Sequence, residues 1–306
     1  MASLKLQILK RIDSLKCFGQ SKHAAKQKQK ELDSLVGVKQ NSLRVHGIFS
    51  RSTCDTYKKH ALNFATWERK THPEKEYKIL SNIRTEHIKE WLEQGISEGE
   101  SAYTTRLKAA SLAKIFSCHT YDFGIKLPSK KNDRSTIKRS RHNVAYDNHF
   151  SEKNNKDLVD FCKATGLRRS EVTQIKPEQI TKDKKGNVIL DFKSKREFKV
   201  MAKGARGRHV HPLHNMVDVV LKAKRKAEKL GQATIFKKIH HAMDVHSYRR
   251  YYAQHKYAEV IEQYKLKVLD YICRDGSGRR YNKKALRIVS ENLGHGRLDV
   301  VVKNYF

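Results

Sequence analysis

Four separated clusters in the second half of the chain hold the side chains best suited to chemistry. The first is Thr165-Gly166-Leu167-Arg168-Arg169-Ser170-Glu171, a glycine turn opening a helix with arginine in its first turn. A cation there opposes the helix dipole unless an anion sits in front of it, so the cluster reads as an anion site or as a surface arginine beside a turn. In His246-Ser247-Tyr248-Arg249 the histidine and arginine stand three apart and share a helical face. Two donors so placed can grip one phosphate, although a structural histidine is the other reading. The third cluster is Leu293-Gly294-His295, and the fourth is Tyr305, ten residues on. Leu298, Val301 and Val302 form an apolar stripe that Tyr305 continues, so taken alone it reads as a core or partner-contact tyrosine.

The elements that must position these residues follow from periodicity. Leu158, Phe161 and Cys162 mark one helix, and Val172 and Ile175 the next, ended by Pro177. After a turn at Lys185-Gly186-Asn187, the runs 188–192, 197–201 and 208–213 are β-prone and predict a small antiparallel sheet. Helical patterns return over 215–230, from 246 to about 273, and from 282 onward.

Earlier in the chain, Leu4, Ile8, Ile12 and Leu15 predict an amphipathic helix, followed by a basic run over 22–30 that either faces solvent or lies along a phosphate backbone. Tyr57, Ala61, Phe64 and Trp67 mark a helix capped at Ser52 or Thr53. Ile88, Trp91 and Leu92 mark a second over 85–92, and Leu112, Ile115 and Phe116 a third over 101–121. The fold class is therefore α+β, mainly α: a basic N-terminal arm (1–47), a small all-helical domain (48–125), a basic linker (126–145) and a mixed domain of helices with a small sheet (146–306). The linker carries Lys126, Lys130, Lys131, Arg134, Lys138, Arg139 and Arg141 against one acid, Asp133, and is placed to lie along a duplex. Arg206, ahead of the third β-prone run, and Arg208, its first residue, are read as DNA contacts with them.

Charge points the same way. The 65 Lys and Arg face 32 Asp and Glu, a formal +33, and such a surface seeks polyanions through phosphate neutralisation and counterion release. No apolar run approaches a membrane span and no secretory signal is evident, so a cytoplasmic, nucleoid-associated protein is expected. Cys17, Cys54, Cys118, Cys162 and Cys273, odd in number and scattered, suit reduced thiols better than disulfides or a zinc site.

Taken in order, Gly-Leu-Arg-x-Ser-Glu at 166–171, Lys-Gly followed by basic residues and Val-x-Pro-Leu within 203–213, His-x-x-Arg at 246–249, Leu-Gly-His at 293–295 and the final tyrosine resemble the tyrosine recombinase family of phage-type integrases and Xer-type recombinases. The likeness covers the whole second half, and the short helices of 48–125 resemble that family's core-binding domain.

The resemblance implies that Arg168 and Arg249 clamp a scissile phosphate, that His246 and His295 add donors or move protons, and that Lys203 protonates the leaving 5′ oxygen. Tyr305 would attack phosphorus to give a 3′-phosphotyrosyl bond. Guanidinium groups match phosphate oxygens in pairs and stay charged, and the covalent intermediate makes the step reversible without ATP. No cofactor or metal is implied. The implied partner is double-stranded DNA with specific recombination sites, bound by a homotetramer on two sites, with an accessory DNA-bending or directionality factor. Family members carry a further segment after the tyrosine that packs on a neighbouring protomer; with the sequence ending at Phe306, either the chain is truncated or assembly relies on the N-terminal arm or other surfaces. Integration or excision of a mobile element is the implied context. A type IB topoisomerase-like enzyme and a catalytically silent DNA-binding regulator of the same fold are the alternatives. A basic RNA-associated protein is disfavoured because no aromatic platforms for bases are evident.

Overall fold

The structure, a computed structural model, describes residues 2–35, 45–129, 150–192, 207–273 and 277–306. The chain divides into two compact units, Met1–Asn132 and Asp133–Phe306, each with its own apolar core. The architecture is α+β and mainly α, with a three-stranded and a two-stranded antiparallel sheet among the described residues of the second unit.

In the first unit the helices are α1 (Leu4–Ser14), α2 (Lys22–Leu35), α3 (Arg51–Thr71), α4 (Thr85–Ser97) and α5 (Ala102–Ile115). Leu4, Ile8, Ile12 and Leu15 bury the α1 stripe against α3 and α5. Burial of each such side chain contributes about 1.5–3 kcal/mol, so α1 is part of the unit's core, where a separate arm of residues 1–47 was expected. The lysine-rich α2 buries nothing. Ser50, in extended backbone, caps α3 by accepting from Thr53 N at 3.2 Å, which moves the cap ahead of the expected Ser52 or Thr53. α5 stops at Ile115, short of Tyr121, because Ser117 turns the chain with φ 56. Ile125 and Leu127 pack on this core, and Arg106 holds the carbonyls of Pro128 and Leu127 at 2.8 and 3.2 Å. The start of the expected linker is thus tied to the first unit, with Lys126 exposed between the two apolar anchors.

The second unit begins with α6 (Lys156–Thr165) and α7 (Arg169–Val172), followed by β1 (Ile180–Lys182), β2 (Val188–Phe192) and β3 (Arg208–Val210). β2 is the middle strand, with Leu190 opposite both Ile180 and Val210. The short β1 escapes periodicity because only one of its three residues is buried. The β-prone run 197–201 lies outside the described residues. Next come α8 (Val217–Lys229), α9 (Val245–Gln263), β4 (Tyr271–Ile272), β5 (Arg280–Tyr281), α10 (Lys283–Asn292) and α11 (Leu298–Tyr305). α9 ends well before Cys273, since Lys265 adopts φ 49 and the chain then makes the β4–β5 hairpin. Buried along its length at Tyr248, Arg249, Tyr252 and Ala253, α9 packs against α6, α10 and α11, which makes it the axis on which the site is built. No helix among the described residues is long and apolar enough to cross a membrane.

Candidate active site

Gly166 closes α6 in the left-handed region at φ 59, and a Cβ there would lie 2.5 Å from the Tyr252 ring. Only glycine gives both that φ and that approach. The turn delivers Arg168 as the N-cap of α7. Glu171, three residues on, accepts from Arg168 N at 2.8 Å and from Arg168 Nη1 at 2.9 Å. The anion that an arginine at a helix start requires is therefore supplied from within. Arg208 on β3 donates through Nη2 to Glu171 Oε2 at 2.8 Å, the oxygen that also accepts from Arg168 N. Burial alone would push the Glu171 carboxyl up, but the charges and hydrogen bonds of Arg208 and Arg168 hold it below the ordinary carboxylate range.

Arg249, only 2% exposed, sits at the centre. Its Nε donates to Tyr305 Oη at 2.8 Å, its Nη1 to Gly166 O and its Nη2 to Leu293 O. Arg168 Nη2 reaches the same Leu293 oxygen at 3.1 Å, so two guanidinium groups from distant stretches converge on one peptide carbonyl. Burial lowers the Arg249 pKa, and the like charge of Arg168 adds to this against the opposing influence of Tyr305. An arginine nevertheless keeps its proton.

Gly294, at φ 64, breaks the chain between α10 and α11 and turns His295 inward, where its amide is held by Ser290 O at 2.8 Å. His295 Nε2 lies 3.2 Å from Tyr305 Oη and 3.3 Å from Arg249 Nη2. Burial first, then the charges of Arg249, Arg168, Arg208 and His246, lower its pKa to about 4, so the ring is neutral at pH 7. Tyr305 is buried by the stripe that Val301 and Val302 share, as its position in the sequence implied, yet its hydroxyl points at Arg249 and His295 and not into apolar packing. Gln254 on α9 ties Tyr305 O at 3.0 Å, and Phe306 seats between Tyr257 and Tyr281. His246, exposed at the start of α9 where Asp244 caps the helix, brings its ring to 5.4 Å from that of Tyr305.

Five of the six expected catalytic residues, Arg168, His246, Arg249, His295 and Tyr305, are thus brought together. Lys203 lies outside the described residues, as do Lys130, Lys131, Arg134, Lys138, Arg139, Arg141 and Arg206. The structure also separates the adjacent arginines, since Arg169 turns away to the carbonyls of His240, His241 and Met243.

Arg208 departs from expectation. Its side chain is 6% exposed, ion-paired to Glu171, bonded through Nε to Asn292 O at 3.0 Å and laid over the Phe192 ring at 4.7 Å. It orients Glu171 from inside the unit and does not lie on the surface as a DNA contact. Glu171 and Asn292 are the residues whose part residue type alone did not reveal. Glu171 was visible as the acid three residues after Arg168, a spacing that lets it cap the turn. Asn292 accepts from His211 N at 2.6 Å and Tyr252 Oη at 3.1 Å, partners 81 and 40 residues away in sequence, so no local pattern could announce it.

A set of fixed guanidinium donors, a neutral imidazole and a phenol can bind a phosphate diester and place a nucleophile beside it. No family model and no curated protein matches the chain. Among solved structures it is similar to the XerH site-specific recombinase bound to difH substrate in a pre-cleavage complex, at 15% identity and a TM-score of 0.49 over 99% of this chain and 92% of that one. It is also similar to the Tn1549 transposon integrase in complex with transposon right-end DNA, at 10% identity and a TM-score of 0.48 over 100% of this chain and 95% of that one.

Proposed function

We propose that this chain is a site-specific DNA recombinase of the integrase type, which cleaves and rejoins strands through Tyr305. The observation that carries the reading is the 2.8 Å contact between Arg249 Nε and Tyr305 Oη, with Arg168 anchored to the same Leu293 carbonyl as Arg249. In this reading Arg168 and Arg249 hold the non-bridging oxygens of one phosphodiester and stabilise the charge that builds there in the transition state. The phenol oxygen forms a bond to phosphorus as the bond to the 5′ oxygen breaks. The phenolic proton passes through the hydrogen bond to His295, which orients the hydroxyl and, holding a proton poorly at pH 7, hands it on to water. The departing 5′ oxygen takes a proton from a general acid, for which the motif order designates Lys203. A 5′ hydroxyl from a second strand reverses the sequence and leaves a rejoined diester, so no metal or nucleotide is needed by these steps. Action as a homotetramer on two sites, integration or excision of a mobile element as the context, and help from a DNA-bending or directionality factor belong to the same proposal.

The test uses a nicked duplex pool of randomised sequence, in which the short 5′-hydroxyl fragment diffuses away and traps the intermediate. A protein–DNA adduct that survives denaturant is expected with the native chain and should vanish with Tyr305→Phe. An adduct that persists in the variant moves the nucleophile elsewhere, and none from the native chain removes the reading.

A further inference from the structure

The first unit holds a group of ligand-type side chains that phosphate chemistry does not use. Glu68 and His72 stand four apart at the end of α3, and His87 and Glu90 three apart at the start of α4. His87 and Glu90 therefore share one helical face, and His72, just past the last turn of α3, lies near Glu68. The two pairs meet: His87 Nδ1 lies 2.7 Å from Glu68 Oε1, and His72 Nε2 lies 3.1 Å from Glu90 Oε2. The imidazoles stack with centroids 3.8 Å apart and planes 7° from parallel. Ligand atoms of Glu68, His72 and His87 all fall within 4.8 Å of one another.

A simple carboxylate–histidine pair leaves part of this unexplained. Glu68 is fully buried, and its second oxygen, Oε2, finds no hydrogen-bond partner among the described residues. A buried carboxylate oxygen without a partner is costly. A cation among these groups would satisfy the orphan oxygen and use ring nitrogens that already face the carboxylates.

We propose that Glu68, His72 and His87 bind a divalent first-row transition ion, best matched by zinc, with Glu90 or water as the fourth ligand. Two imidazoles and a carboxylate suit zinc, whereas calcium and magnesium favour oxygen throughout. Tetrahedral bonds of about 2.0–2.2 Å set ligand atoms about 3.4 Å apart, so closure requires the stacked rings to tilt toward the ion. His72 has room to do so, because it sits just past the helix at φ −122, ψ 77 and its side chain is 20% exposed. That opening is also the way in. The rings of Tyr77, 4.5 Å from His87, and Trp67, 5.5 Å from His72, wall the other sides. The ion acts structurally, fastening the end of α3 to the start of α4 across the connection 73–84.

Full-length protein freed of metal with a chelator is titrated with zinc, and with cobalt as a spectroscopic substitute. One tight equivalent, an intense tetrahedral cobalt spectrum and a Tm raised by about 5–10 °C at a hundredfold excess over Kd are expected. Glu68→Gln and His72→Gln should each weaken binding at least about tenfold. His72→Gln changes a partly exposed side chain, so it keeps the test available if Glu68→Gln fails to fold. The chain has 16 histidines, so zinc bound with unchanged affinity in these variants lies elsewhere and overturns the proposal, as does no binding at all. Strand cleavage by Tyr305 is not read in this experiment, so the two readings stand or fall separately.

Discussion

Arg249 directs its donors at atoms of the protein itself, and removal would strand the Gly166 carbonyl and take one partner each from the Leu293 carbonyl, which keeps Arg168, and the Tyr305 hydroxyl, which keeps His295. Arg249→Ala is therefore expected to lower stability by about 1–3 kcal/mol as well as to abolish adduct formation. Chemical denaturation beside the trapping assay checks both, and a folded variant of native stability would contradict the buried network. Arg168→Ala, at a less buried cation, should lose the adduct at a smaller cost in stability. His295 gives a pH signature. Its folded pKa of about 4 lies below its ordinary 6.5, so the unfolded chain takes up a proton that the folded site refuses. The stability tied to the neutral ring is complete above the ordinary value and is lost as pH falls from about 6.5 toward 4. Allowing for its partial exposure, the loss is on the order of 2 kcal/mol. Unfolding curves at pH 7 and pH 5 should differ less in His295→Gln than in the native chain. Glu171 does not add to the difference between pH 7 and pH 5, because its carboxyl is held below the ordinary carboxylate range.

At the scale of elements, the turn after α6 is the most sensitive joint. Gly166→Ala would force a side chain into left-handed backbone and against the buried Tyr252 ring, at about 2–4 kcal/mol. A shift of the denaturation midpoint measures it, and a neutral result would mean that the turn relaxes freely. Most helices were legible in advance because their apolar stripes face one core, as with Leu4, Ile8 and Ile12 in α1 or Ile88, Trp91 and Leu92 in α4. Their ends were less legible, since Ser117 and Lys265 stop helices with positive φ at residue types that do not advertise it. The β4–β5 hairpin, two residues to a strand, is too short for any alternation to register. Five catalytic candidates were readable from ordered motifs. The burial of Arg208 was not, because it depends on Glu171, 37 residues away in sequence, and on the Asn292 carbonyl.

Across the whole molecule, the formal +33 should dominate affinity for nucleic acid. Binding to duplex DNA is expected to weaken by about a thousandfold or more between 50 and 200 mM salt if about six phosphates are neutralised. A fluorescence titration showing a flat response would contradict it. Sequence preference must come from base contacts or DNA shape, because phosphate contacts carry no sequence information. The innermost cations depend on something more durable than surface charge. Arg168, Arg208 and Arg249 are moored to the peptide oxygens of Gly166, Asn292, Leu293 and Gly294. No codon change can erase a peptide oxygen. Much of the exterior could therefore be rewritten over generations while these moorings survived, and damage to them would have to arrive through a bent backbone.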